Sequence, residues 1–223
     1  MKTKVFNVII LDKSGSMSSI ARQAIDGVNE TIGAIRSAQE KDPDQEHTVT
    51  LVAFCGCEMR KLYDNVPVAQ VKQLTDADYR PCCMTPLFDA IGSTITHVHQ
   101  LKAAEENAMA SVTIITDGYE NASREFTGTA IKALIQSYKD DGWLFTYIGA
   151  DHDVERVAYS LAIDNQMQFD KSASGTTAMF AKERASRASW MHRMKAVMSD
   201  EKMSKMEKMR RMKDVNKDYF EDY

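Results

Sequence analysis

Apolar residues along this chain follow two alternating rhythms. Short runs stop abruptly at polar loops: Lys4-Val5-Phe6-Asn7-Val8-Ile9-Ile10-Leu11 ends at Asp12-Lys13-Ser14-Gly15-Ser16, and Ser111-Val112-Thr113-Ile114-Ile115-Thr116 ends at Asp117-Gly118-Tyr119-Glu120-Asn121. Runs of this length with little polar alternation predict strands buried on both faces. Between them the spacing changes to three and four. Ile25, Val28, Ile32 and Ile35 follow Ser18 and Ser19; Phe88, Ile91, Ile95 and Val98 follow Pro86; Ile131, Leu134, Ile135 and Tyr138 precede Gly142. These are the stripes of amphipathic helices. A serine satisfies free amides at a helix start, and proline sits in a first turn without loss. Further strands are expected over His47 to Phe54, Leu144 to Ala150 and Met167 to Phe169, with a short helix from Asp153 to Ala162. A hairpin at Cys55-Gly56-Cys57 leads to an edge strand over Glu58 to Tyr63.

Strand and helix alternate, which predicts an α/β fold: a doubly wound, mostly parallel sheet with one antiparallel edge strand and helices on both faces. The pattern divides into a domain over residues 1–175 and a helical extension over 176–223. Residues 176–213 hold 11 Lys/Arg against 4 Asp/Glu and eight of the 14 methionines, so a basic, Met-rich arm rides on an acidic body. As one straight helix this stretch would reach ~57 Å at 1.5 Å per residue, longer than the domain is wide. Its distal half must bend back, protrude or meet another chain. A methionine stripe suits an adaptable contact face, so self-association or partner docking through this helix is the expectation.

In a doubly wound sheet, ligands bind beyond the carboxyl ends of the strands where strand order reverses. Asp12, Ser14 and Ser16 follow one strand there, Asp117 follows another, and Thr85 opens a helix on the same side. Two carboxylates and three hydroxyls with no thiolate or imidazole form a hard-oxygen set, suited to Mg²⁺, with Mn²⁺ and Ca²⁺ as the other candidates. Asp12-Lys13-Ser14-Gly15-Ser16, Thr85 and Asp117-Gly118 stand in the order of the metal-ion-dependent adhesion site of von Willebrand factor A domains. The chain resembles that family, and its stand-alone bacterial and phage members in particular, over roughly residues 4–185. The resemblance implies a Rossmann-like sheet with Ser14, Ser16 and Thr85 as direct ligands and Asp12 and Asp117 direct or through water. It further implies a protein-binding role, with a partner's Asp or Glu completing the coordination. Cys82-Cys83-Met84 departs from the family pattern just before the threonine. Glu120 and Asn121 border the site, either facing a partner or capping the turn.

A chemical rival exists, because an aspartate after the first strand of an α/β fold beside Mg²⁺ also describes phosphohydrolases and phosphotransferases. Those carry a second acid two residues on; here that position is Ser14, so an enzyme is not expected. A scaffold that recognises partners through its C-terminal helix is the other alternative. No apolar run approaches the ~20 residues of a spanning helix. Nucleic acid is not an expected partner at a net charge of −4. The four cysteines come as two tight pairs, Cys55/Cys57 and Cys82/Cys83, unlike a dispersed disulfide framework. Reduced, separate thiols in a cytoplasmic protein are expected, with a zinc or redox cluster as the alternative if both pairs reach the metal edge.

Overall fold

A computed structural model describes residues 2–220. Strands β1 (Thr3–Asp12), β2 (Gln45–Cys55), β3 (Glu58–Pro67), β4 (Ala108–Thr116), β5 (Leu144–Gly149) and β6 (Asn165–Gln168) form one sheet in the order β3-β2-β1-β4-β5-β6. All neighbours are parallel except β2 and β3, whose pairing is the expected hairpin. The chain winds outward from β1 through β2 to β3, then returns to β4 on the other side of β1. This is the doubly wound topology with its reversal between β1 and β4.

Helices α1 (Ala21–Lys41) and α5 (Ala173–Ser199) cover one face, and α2 (Leu87–Ala103), α3 (Gly128–Asp140) and α4 (Val154–Ser160) the other. Alternation along β1 supplies both cores: Val5, Ile9 and Leu11 face α1 and α5, while Phe6, Val8 and Ile10 face α2. Thr127 and Asp153 cap α3 and α4 by accepting amide bonds, whereas neither Ser18 nor Ser19 caps α1; the stretch Gly15–Ile20 is a 3₁₀ turn that runs into it. Helices α1 and α5 approach so closely that a Cβ at Gly27 would fall 2.1 Å from the Phe180 ring, which is why that position carries no side chain.

The C-terminal arm is neither straight nor protruding. Helix α5 ends at Ser199, and after a turn braced by the Asp200 carboxylate the chain reverses into α6 (Lys205–Lys217), capped by Ser204. Met212 and Tyr219 enter the same core as β1 and α1. Asn216 Oδ1 accepts from the Trp190 indole at 2.8 Å, and its carbonyl accepts from Asn165 at 2.7 Å. The Asn216 side chain also donates to the Gly142 carbonyl at 3.1 Å. Gly142 lies just before β5 and Asn165 opens β6, so α6 closes the amino-terminal edge of the sheet there. The anticipated boundary at residue 175 falls inside the first turn of α5.

Beneath α5 the strands carry the buried polar residues Asn7, Ser111 and Thr113. Arg187 reaches down to them: its guanidinium donates to Thr113 Oγ1 at 2.8 Å, Asn7 Oδ1 at 3.3 Å and, twice, to Glu183 Oε1 at 2.7 and 2.9 Å. Tyr219 also donates to Glu183. Both charges are about 1% exposed, so their desolvation is offset only while every partner stays in place. Arg187→Met should destabilise the chain by about 3–5 kcal/mol in urea titration, because it leaves a buried carboxylate unpaired. The double variant with Glu183→Leu should recover a large part of that loss. If single and double variants were equally unstable, the pair would not be the source. Truncation after Ser199, which strips Trp190 of Asn216 and Glu183 of Tyr219, should lower the urea midpoint sharply. An unchanged midpoint would mean that α6 contributes nothing to the fold.

Candidate metal centre

The register Leu11↔Ile115 brings the ends of β1 and β4 side by side, so Asp12 and Asp117 issue from the same edge. Asp12 is wholly buried. Its Oδ1 accepts from the Ser14 amide and its Oδ2 from the Thr116 hydroxyl, each at 2.6 Å. The same residue's carbonyl accepts from the phenol of buried Tyr79, which arrives from the β3–α2 connection. Burial pushes the Asp12 carboxyl up to about 6, against the lowering effect of its Thr116 and Ser14 hydrogen bonds. Nearby Asp117 adds to the rise by charge repulsion.

Ser14 and Ser16 turn their hydroxyls to one point, with Oγ atoms 3.1 Å apart, and Ser16 Oγ donates to Asp117 Oδ1 at 2.6 Å. Thr85 joins from the start of α2: a Cβ placed on Gly118 would lie 3.8 Å from Thr85 Oγ1 and 4.0 Å from Ser16 Oγ. The five oxygen-bearing residues therefore gather at the place the motif indicates. Adjacent ligands of an octahedral ion at 2.0–2.1 Å stand ~3 Å apart, and the Ser14–Ser16 spacing is close to that. Asp117 Oδ2 is buried and accepts no well-angled hydrogen bond; the Lys171 ammonium meets it at 2.7 Å and Asp151 at 3.1 Å. A cation from the chain itself thus stands beside the carboxylate. The residue types, their spacing and this buried, cation-facing oxygen fit a small hard divalent ion.

Glu120 and Asn121 support the site from behind. The Glu120 carboxylate accepts from the amides of Phe88, Ala122 and Ser123 and from the Ser123 hydroxyl, so its lone pairs are used within the chain. Asn121 Oδ1 accepts from the Thr85 amide at 2.8 Å, and the Asn121 amide returns a bond to the Thr85 carbonyl. Both residues brace the threonine loop. Asp89, in the first turn of α2, accepts from three successive amides at Arg124, Glu125 and Phe126 and anchors the far end of the β4–α3 loop that begins at Asp117. The rim holds two exposed large side chains, Met84 at 55% and Tyr119 at 54%.

The expectation of four separate reduced thiols is corrected. Because β2 is parallel to β1, its end lies on the metal edge, and Cys57 is joined to Cys83 in a disulfide while Cys55 Sγ and Cys82 Sγ sit 3.2 Å apart. The signal was available in the parallel reading of β2. What hid it was Cys83, whose left-handed φ of 61° lets neighbouring cysteines reach one turn. Tyr79, Asp89 and Lys171 were missed because nothing local marks them.

No protein-family model matches the sequence, and no curated protein matches it. Solved structures do. The vWF domain of the type V pilus tip protein Mfa5 from Porphyromonas gingivalis superposes with a TM-score of 0.61 at 11% identity, over 86% of this chain and 97% of that one. The pilus adhesin SpaC of Lactobacillus rhamnosus GG gives 0.59 at 16% identity over 83% of this chain, and proximal thread matrix protein 1 from the mussel byssus gives 0.56 at 13% over 81%. This chain spans 30% of the SpaC chain and 45% of the mussel chain. At these identities the likeness is one of fold, and the fold is that of a von Willebrand factor A-like domain.

A raised carboxyl binds its proton more tightly folded than unfolded, so Asp12 withdraws stability as pH rises from about 4 through about 6. Over that window the loss is about 3 kcal/mol. His47, which burial and Arg187 lower to about 4, has the opposite slope, because the unfolded chain takes up its proton first. The comparison must therefore be made against a variant. In chelator, Asp12→Asn should gain stability over wild type between pH 4 and pH 7, measured by urea midpoint. A pH-independent difference would mean that the carboxyl titrates normally.

Proposed function

We propose that this chain is a divalent-metal-dependent protein-binding module. The carrying observation is the convergence of Asp12, Ser14, Ser16, Thr85 and Asp117 at the reversal of the sheet, with a buried Asp117 oxygen held against the cationic Lys171 ammonium. In this reading Ser14, Ser16 and Thr85 hold Mg²⁺ or Mn²⁺ directly and the two aspartates supply charge, directly or through water. Bound there, the ion would offer an electron-poor centre to a partner's Asp or Glu, since neutral hydroxyls quench little of its charge. Lys171 would then be left to Asp151.

The rim supports a protein partner. Exposed Met84 and Tyr119 flank the oxygen cluster, and a flexible thioether beside an aromatic ring is the kind of surface that anchors protein contacts around a polar centre. The pilus and adhesin neighbours in fold agree with this reading. Catalysis by Asp12 is disfavoured by its own geometry: both carboxylate oxygens are engaged inside the chain and none reaches solvent. A nucleophile needs a lone pair aimed at substrate.

Calorimetry should find one Mg²⁺ or Mn²⁺ per chain, and Thr85→Ala should weaken binding at least tenfold with its thermal transition preserved. Displayed peptides selected in Mg²⁺ should carry Asp or Glu and release in chelator. Unchanged metal affinity in Asp12→Ala would remove the site, whereas metal binding with chelator-resistant peptides would remove only the gripping role.

A further inference from the structure

The corner beside the oxygen cluster holds every cysteine of the chain, on two segments locked face to face. Gly56 donates to the Met84 carbonyl at 2.7 Å, Cys82 donates to Lys13 at 2.8 Å, and Gly15 donates to Cys83 at 3.1 Å. A Cβ on Gly56 would approach the Met84 amide to 3.1 Å, so the two turns meet backbone to backbone. Cys55 and Cys57 flank that glycine. Cys82 reaches the first and Cys83 the second, an arrangement that the left-handed backbone at Cys83 makes possible for adjacent residues.

The sulfur atoms of Cys55, Cys57 and Cys82 all lie within 4.8 Å of one another, and Cys83 is bonded to Cys57. Tetrahedral zinc with Zn–S of ~2.3 Å places its sulfurs ~3.8 Å apart. The cluster is already near that size. Cys55 is buried, Cys82 half-buried, and Cys57 and Cys83 exposed, which gives a closed base and a solvent-facing entry. Lys13 brings its ammonium into the same corner, paired with Glu58; a neighbouring cation would offset part of the doubly negative charge of a zinc tetrathiolate.

We propose that Cys55, Cys57, Cys82 and Cys83 form a second metal site, a tetrathiolate centre for Zn²⁺ that exists when the Cys57–Cys83 disulfide is reduced. The reaction balances in two steps. A cellular dithiol reductant gives two electrons and two protons to the Cys57–Cys83 bond, yielding two thiols and its own cyclic disulfide. Zn²⁺ then replaces four thiol protons, which pass to solvent. The disulfide and the zinc centre are alternative states of one corner, and neither requires the oxygen cluster to be loaded.

The test uses the full chain, reduced with a phosphine and then exchanged into oxygen-free buffer, titrated with Co²⁺ and then Zn²⁺. One equivalent of Co²⁺ should produce a thiolate-to-cobalt charge-transfer band and tetrahedral ligand-field bands, which Zn²⁺ then bleaches. Native mass spectrometry should show one zinc per chain, released by a mercurial thiol reagent. Cys83→Ser and Cys55→Ser should each lose the charge-transfer intensity of one thiolate and bind at least tenfold more weakly, while Thr85→Ala, which touches only the oxygen cluster, keeps the bands. Reduced wild-type chain that gives no charge-transfer band overturns the proposal. So does a Cys57–Cys83 bond that survives the phosphine in the folded chain, or a chain isolated with Cys55 and Cys82 also joined, since each describes a permanent covalent staple.

Discussion

The pairing of β1 with β4 is the constraint from which the rest of the structure follows. These strands are distant in sequence, yet the register that sets Leu11 beside Ile115 also sets Asp12 within 2.6 Å of the Thr116 hydroxyl. A slip of one residue would turn every core side chain to the opposite face, and it would equally separate the two acidic loops. Core packing on both faces therefore fixes the site to the accuracy of the sheet. The surrounding loops are tied to that reference point: Tyr79 to the Asp12 carbonyl, Asn121 to Thr85, Glu120 to the Phe88 amide at the start of α2, and Phe126 to Asp89 of the same turn. Oxygen atoms held this way need little reorganisation to receive a ligand.

The same sheet buries polar groups at two depths, with different consequences. Under α5, Arg187 and Glu183 are matched by Asn7, Thr113 and Tyr219, so the network costs little while complete and fixes one docking of the C-terminal helices. At the strand end, Asp12 has its hydrogen bonds but no cationic side chain among the described partners, and burial, with repulsion from Asp117, lifts its carboxyl. A charge left uncompensated at a strand end, next to a satisfied charge network in the core, is a local conflict of the kind that marks functional positions.

Most of the fold was legible because each element carries its own period, and the parallel order followed from alternation. The oxygen cluster was legible for a related reason: Asp12, Ser14, Ser16 and Asp117 lie within a few positions of strand ends and Thr85 just before α2, so local sequence nearly determines where they point. What escaped depends on distant pairing. Arg187 and Glu183 look like an ordinary i, i+4 surface pair on a basic helix, and only Asn7, Ser111 and Thr113, each interrupting a buried strand, hinted that a polar group would come to meet them. Ser18 and Ser19 looked like caps, but the 3₁₀ turn over Gly15–Ile20 carries the loop into α1 without one. The methionine stripe was legible as helical and as too long to run straight, but which of its alternatives holds was not, since the break over Asp200 to Ser204 depends on α6 finding Trp190 and Asn165 at the lower edge of the sheet.

The cysteine corner and the oxygen cluster share one segment, Cys82 to Thr85, bonded on one side to Lys13 and Gly15 and on the other to Gly56. The two sets of side chains do not mix. The oxygen cluster contains no sulfur, and the sulfur cluster contains no carboxylate or hydroxyl among its four members. Thiolates favour zinc over magnesium, while a carboxylate and hydroxyl set retains hard ions that thiolates bind poorly. Two ions could therefore be sorted by ligand chemistry alone in neighbouring positions. Because the segment between them is anchored through its backbone at both ends, a change of covalent state at Cys83 would be felt first at Met84, on the exposed rim, before it reached the braced hydroxyl of Thr85.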